Sequence, residues 1–154
     1  MGDPGLLIDR ILPKVEKKYR WGIIPHVIDR DESVVRDISN GTPNSLVIDL
    51  RDPNLTGTAM AIASCDFVIS SSLHGIIVAD ALGIPHVWTK ITGKVFHADW
   101  KFSDYFMSME RSAPLPVSIV TDLRRVEKVT GLSEREVVER RQTELEVAFR
   151  EMNL

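Results

Sequence analysis

Four short apolar runs, Trp21–Ile28, Leu46–Leu50, Asp66–Ser70 and His86–Thr89, carry Val and Ile at their centres with almost no polar alternation. A strand with one wet face alternates apolar and polar residues. A run without alternation reads as a strand buried on both faces, which is the habit of parallel sheets. Between these runs lie stretches of helical character. Asp31–Ile38 is short, with Val34, Val35 and Ile38 as its apolar side. Asp52-Pro53 supplies an N-cap and a first-turn proline for a helix running to about Ser64. Leu73–Leu82 ends at Gly83, with Pro85 beyond it as a stop. Strand and helix in strict alternation predict an α/β fold: a Rossmann-like parallel sheet with right-handed crossovers and helices on both faces.

After Thr89 the pattern changes. Lys90–Trp100 mixes Gly, Lys, His and aromatic residues and reads as an ordered loop. Lys101–Met109 reads as a short helix whose Phe102, Tyr105 and Phe106 are hydrophobic anchors, with Asp104 as a candidate cap. Ala113-Pro114-Leu115-Pro116 leads into a helical tail. Gly131 ends one short helix there, and Ser133-x-x-Glu136 has the form of a capping box for a longer one near Glu134–Met152. Its Val138, Leu145, Ala148, Phe149 and Met152 form an apolar stripe that calls for something to pack on. The expected division is a Rossmann-like domain at 1–112, then a linker and helical tail at 113–154 packing on the same domain.

A chain of 154 residues has room for one domain of this kind. Its 19 Lys and Arg against 22 Asp and Glu leave a net charge of −3, which gives no global footprint for nucleic acid. Cys65 is the only cysteine, which excludes an internal disulfide and argues against a thiolate metal site. No basic region leads into a hydrophobic stretch at the N-terminus, and the apolar runs fall short of the roughly 20 residues that cross a bilayer. The expectation is a soluble, cytoplasmic protein with no signal peptide, no transmembrane segment, and no metal or cofactor.

The segment most able to carry chemistry runs from Cys65 to Pro85. A buried strand ends in Ser70-Ser71-Ser72, and a helix starts almost at once with Leu73-His74-Gly75. Ligands of open α/β sheets bind beyond the carboxyl ends of the strands. A helix N-terminus there presents free N–H groups and partial positive charge to phosphate or carboxylate. The serine hydroxyls add donors, Gly75 permits close approach, and an anion beside His74 favours its protonated form. The plainer reading of the same residues is capping and tight helix–sheet packing, with His74 a structural histidine.

The words Ser70-Ser71-Ser72-Leu73-His74-Gly75-Ile76-Ile77-Val78-Ala79-Asp80-Ala81 resemble the polysaccharide pyruvyl transferase family. So do Gly2-Asp3-Pro4-Gly5-Leu6-Leu7, Gly22-Ile23-Ile24-Pro25-His26-Val27-Ile28-Asp29 and Lys101-Phe102-Ser103-Asp104-Tyr105-Phe106, in the family's order. The resemblance extends over roughly Gly2 to Met109. It implies two facing Rossmann-type domains of glycosyltransferase-like architecture. It also implies transfer of a pyruvyl group from phosphoenolpyruvate to a sugar diol, forming a ketal in cell-surface polysaccharide synthesis. The acceptor would be a saccharide or lipid-linked oligosaccharide. In such families the Gly-Asp-Pro-Gly element lies near mid-chain, so the expectation here is the C-terminal, donor-binding half only, as a fragment or a single-domain relative.

On that resemblance His74 is the catalytic candidate, as proton donor or phosphate contact. Ser70, Ser71, Ser72, Leu73 and Gly75 form the donor cradle, with His26 at the end of the first strand beside it. Many family members carry Arg where Ser72 stands; Lys90, Lys94 and Lys101 are the candidates to replace that contact, against the plainer reading of surface lysines. His97 and Trp100, with Lys101, are candidates for the acceptor sugar. Two other readings stay open. One is a nucleotide-sugar glycosyltransferase donor domain, for which Asp80 is the nearest but poorly placed ribose clasp. The other is a non-catalytic interaction or assembly module, self-associating through an exposed apolar face or the tail helix.

Overall fold

The computed structural model describes residues 2–94, 99–117 and 123–152, with the backbone alone at 123–125. Four strands, β1 (Tyr19–Ile24), β2 (Ser45–Val47), β3 (Cys65–Ser70) and β4 (His86–Trp88), form one sheet in the order β2-β1-β3-β4. Every pairing is parallel: Trp21 faces Ser45 on one side and Phe67 on the other, and Val68 faces His86. The helices are α1 (Ser33–Gly41), α2 (Leu55–Ala63), α3 (Leu73–Ala81), α4 (Asp99–Ser108), α5 (Leu123–Val129) and α6 (Arg135–Met152), and Pro4–Arg10 forms a 3-10 helix at the start.

Both faces of the central strands are covered, which explains their unbroken apolar runs. Val68 and Ile24 pack with Ile62 of α2 and Ala79 of α3. The next residue, Ile69, points to the other face and packs with Trp21, Val87 and Val126 of α5. Ile23, Ile24, Val68 and Ile69 are wholly buried. At about 25 cal/mol per Å² of apolar surface, burial of such side chains supplies the main force holding the layers together.

Several element ends differ from the sequence expectation for physical reasons. The first strand stops at Ile24, not Ile28, because Pro25 has no N–H to donate. The chain then turns, Asp29 N donates to His26 O (2.8 Å), and Val27 and Ile28 are left exposed. Asn54, not Asp52, caps α2: its side chain accepts from Gly57 N, while Asp52 accepts from Asn54 N. Asp104 lies inside α4 and caps nothing, because that helix starts at Asp99. No capping box forms at Ser133. Its N–H and hydroxyl both donate to Asp80, at 2.9 and 2.8 Å, and α6 starts at Arg135.

The N-terminal half of α6 packs on the layer. Val137, Val138 and Leu145 join Leu6, Ile77, Ala81 and Met109 in one buried cluster. The wholly buried Gln142 amide donates to Leu6 O and Asp9 Oδ1, both at 2.8 Å. The expected apolar stripe is therefore sealed at Val138 and Leu145 and open at Met152, which is 80% exposed. Among the described residues no helix is long and apolar enough to cross a membrane.

Candidate functional site

The chain runs from β1 outward to β2 and then returns to lay β3 on the other side of β1. The crevice above the carboxyl ends of β1 and β3 is thus the topological switch point, where open α/β sheets take their ligands. Ile24-Pro25-His26 and Ser70-Ser71-Ser72 meet there: Ser71 N donates to Ile24 O at 3.0 Å.

The serines are mostly committed to the scaffold. Ser70 Oγ lies 3.1 Å from Ile24 O and 2.7 Å from Ser72 O, and it accepts from Ser72 N (3.0 Å). Ser71 Oγ accepts from His26 N (2.8 Å) and donates to Asp29 Oδ2 (3.3 Å). Asp29 is wholly buried, and its other oxygen accepts a close hydrogen bond from Thr92 Oγ1. One carboxylate thereby ties the loop after β1, the serine exit of β3 and the loop after β4. His26 is half-buried, its ring Nδ1 accepting from Ile28 N at 3.2 Å.

Ser72 is the N-cap of α3, in extended conformation (φ −105°, ψ 132°), and its side chain makes no cap hydrogen bond. The first backbone bond of the helix is Ile76 N to Ser72 O, so the amides of Leu73, His74 and Gly75 precede the intrahelical ladder. Gly75 lies so close to β1 that a Cβ there would stand 3.0 Å from Ile24 Cγ2 and collide with Ser70 Oγ. Leu73 is partly buried against Ile76, Trp88 and Phe102.

His74, in the first turn, is 71% exposed, and its Nε2 stands 3.3 Å from Asp3 Oδ2. The other oxygen of Asp3 accepts from Gly5 N (2.8 Å) and so caps the N-terminal 3-10 helix. The hydrogen bond with Asp3 raises the imidazole pKa above 6.5, against partial burial and the charge of Lys101. The same bond lowers the Asp3 carboxyl below 3.8.

The lysines stand at the rim. Lys90 Nζ is 2.7 Å from Asp99 Oδ2 and 6.0 Å from the Trp88 ring centroid. Lys94 pairs closely with Glu32. Lys101 is exposed on α4, its Nζ 5.8 Å from the ring of Trp100, itself 63% exposed. His97 lies outside the described residues. The crevice lined by Asp29, Ser71, Trp88, Lys90 and Asp99 encloses only about 10 Å³, so it is a groove and not a chamber. Among the described residues no group of three or more His, Cys, Asp and Glu side chains is arranged around a metal position.

Two carboxylates escaped the sequence reading. Asp3 and Asp29 each belong to a motif segment, which was the available signal, but their meeting with His74 and Ser71 depends on topology. Asp80, the poorly placed ribose-clasp candidate, has a structural role. It is 1% exposed and accepts from Tyr105 Oη (2.9 Å) and from Ser133, with His86 Nδ1 at 3.7 Å and Arg111 at 3.8 Å. A carboxylate so enclosed does not reach a ribose at the strand ends. Tyr105 accordingly serves as more than an apolar anchor, and its phenol is pushed well above its usual pKa by burial and by Asp80.

The sequence profile described as polysaccharide pyruvyl transferase matches residues 2–90. A protein of Acanthamoeba polyphaga mimivirus, described as uncharacterised, is 39% identical over 109 residues, covering 68% of this chain and 38% of that protein. The chain thus spans less than two-fifths of that relative's length. No solved structure matches the chain significantly. The match corrects the expectation of a C-terminal, donor-binding half, because the matched residues form the N-terminal part of this chain. Lys101–Phe106, part of the resemblance in sequence, falls beyond them.

Proposed function

The chain belongs to the polysaccharide pyruvyl transferase family, and from that membership we propose that it binds phosphoenolpyruvate at the N-terminus of α3 for pyruvyl transfer to a saccharide hydroxyl pair. The observation that carries this reading is the Asp3–His74 pair, which brings two motif segments together beside the unoccupied amides of Leu73–Gly75. Those amides and the helix dipole suit a phosphate or a carboxylate. Asp3 keeps His74 cationic to higher pH, so His74 contacts the phosphate or delivers the proton to the methylene carbon. That proton makes an oxocarbenium-like centre at the adjoining carbon. One sugar hydroxyl attacks it, the C–O bond to phosphate breaks, and the second hydroxyl closes the ketal. Of the two hydroxyl protons, one is accounted for on the new methyl group and one on the released phosphate.

Lys90 and Lys101 stand at the rim as further anion contacts, and His26 and Ser70–Ser72 shape the strand exit. His74 is largely exposed, so a donor beside it is open to water and a second domain or chain would supply the opposite wall. Residues 1–112 carry the donor site in this reading, with 113–154 as a clamping tail. A saccharide or lipid-linked oligosaccharide acceptor and a cytoplasmic location go with the same proposal.

Titration with phosphoenolpyruvate, followed by amide chemical shifts, tests it. Shifts should centre on Leu73–Gly75 and Asp3, and His74→Ala should weaken binding several-fold. Shifts centred elsewhere, or equal affinity in His74→Ala, would overturn the assignment.

A further inference from the structure

Beyond the strand-end crevice the molecule holds a larger cavity, of about 310 Å³, between the N-terminal 3-10 helix, α4 and the C-terminal half of α6. Asp3, Tyr105, Ser108, Arg141, Glu144 and Ala148 are among its lining residues. The volume is at the lower end of the range for small-molecule sites, roughly 300–1,000 Å³, and suits a ligand of one or two rings. Asp3 stands in the wall of this cavity and also pairs with His74. Asp3 therefore links the wall of this cavity to the imidazole of His74.

Charge sorts the occupants. Asp3 and Glu144 are acidic and Arg141 is basic, which leaves the lining one unit negative. Arg141 is already engaged: its guanidinium donates to Ser108 O (2.8 Å) and to both oxygens of Glu144 (3.1 and 2.8 Å), and it stands 3.4 Å from Glu110. A trianionic donor is repelled by such a wall and finds no free cation in it. A neutral polyol is not repelled. Its hydroxyls donate to the remaining lone pairs of Asp3 and Glu144, and its apolar ring face lies on Leu6, Met109 and Ala148, which also line the space.

We propose that this cavity is a saccharide-binding subsite, taking the neutral acceptor ring while the anionic donor occupies the N-terminus of α3. The inference rests on the donor reading above for the identity of the second substrate, and on the cavity alone for the binding of a saccharide. It separates the two substrates by charge across His74, with Asp3 as the shared wall. Glu144 and Arg141 are then specificity-determining, and α6 is part of the site as well as a packing element.

The test is an amide-shift titration of the full chain with an equimolar mixture of the methyl glycosides of glucose, galactose, mannose and N-acetylglucosamine. Shifts are expected at Asp3, Ser108, Glu144 and Ala148. Ala148→Trp, an exposed position on α6, should fill the cavity and abolish them, and Glu144→Gln should weaken them at least threefold. Either variant should keep the phosphoenolpyruvate shifts at Leu73–Gly75. Absence of glycoside shifts in this set of residues, or their persistence in Ala148→Trp, overturns the saccharide subsite. Loss of the phosphoenolpyruvate response alone overturns the donor reading and leaves the subsite standing.

Discussion

Gly75→Ala is the sharpest probe of how the fold builds the site. In isolation the change favours a helix by up to about 1 kcal/mol, since alanine loses less backbone entropy. At this position the added methyl meets Ile24 at 3.0 and 3.2 Å and overlaps Ser70 Oγ, all of them wholly buried. Overpacking of a tight core costs about 1–3 kcal/mol. Displacing Ser70 Oγ also disturbs its contacts with Ile24 O, Ser72 O and Ser72 N, each worth about 1 kcal/mol net. The unfavourable terms win, and a net loss of about 2–3 kcal/mol is expected. For a chain of this length that lowers Tm by about 4–12 °C. The assay is urea denaturation of the four members of a double-mutant cycle with Ser70→Ala. Removing the hydroxyl that the methyl strikes should make the double variant about 1 kcal/mol less destabilised than the sum of the singles. Additive effects, or a Gly75→Ala protein as stable as the parent, would refute the claim that close contact of α3 with β1 demands glycine here.

Two further outcomes follow from titratable groups. His86 is buried, stacks near Phe106 (centroids 6.4 Å apart), lies 3.2 Å from Ile84 O through Nδ1 and stands 3.3 Å from Arg111 through Nε2. Burial is the main cause that pushes its pKa below 6.5, with Arg111 adding to it against Asp80. The unfolded chain then binds a proton that the folded one refuses, so this contribution is full above pH 6.5 and is lost as pH falls through the depressed value. His86→Asn should flatten the acid slope of the urea midpoint that starts near pH 6.5, and an unchanged slope would assign it elsewhere. The His74–Asp3 pair behaves oppositely at its basic end. Its contribution is present below pH 6.5 and lost as pH rises through the elevated His74 value, and it also fades as pH falls through the lowered Asp3 value. Because His74 is largely exposed, the pair is worth only about 0.2–1 kcal/mol. The imidazole resonances are the better readout: Asp3→Asn should move the His74 midpoint down towards 6.5, and no movement would dissolve the pair.

The strands were legible because burial on both faces leaves a local trace, an unbroken run of Val and Ile. Their ends were less so: Val27 and Ile28 continue the apolar run past Pro25, although the proline has already stopped the ladder. Ser133 shows a different limit. Its local pattern is that of a capping box, but Asp80, 53 residues earlier, takes both its donors. A buried carboxylate without those bonds would be costly, so the distant partner wins over the local one. Sequence periodicity carries no trace of such a choice. The same holds for Asp3 and Asp29, whose partners are chosen by strand order and by the path of the N-terminal helix along α3.

The commitments of Ser70 and Ser71 also decide which groups remain for a ligand. Turning either hydroxyl towards an anion breaks bonds to buried main chain or to Asp29, at about 1–3 kcal/mol for each group left unsatisfied. The amides of Leu73–Gly75 carry no such cost, because a helix leaves its first N–H groups unpaired whatever side chains it bears. An anion seat built this way depends on backbone placement more than on the residue at position 72. In the proposed donor site the positive end of α3 and an imidazolium at His74, paired with Asp3, would supply the charge beside Ser72. The proposed seat would then depend on Gly75, which lets α3 lie against Ile24 of β1 and Ser70 of β3 where a Cβ would collide.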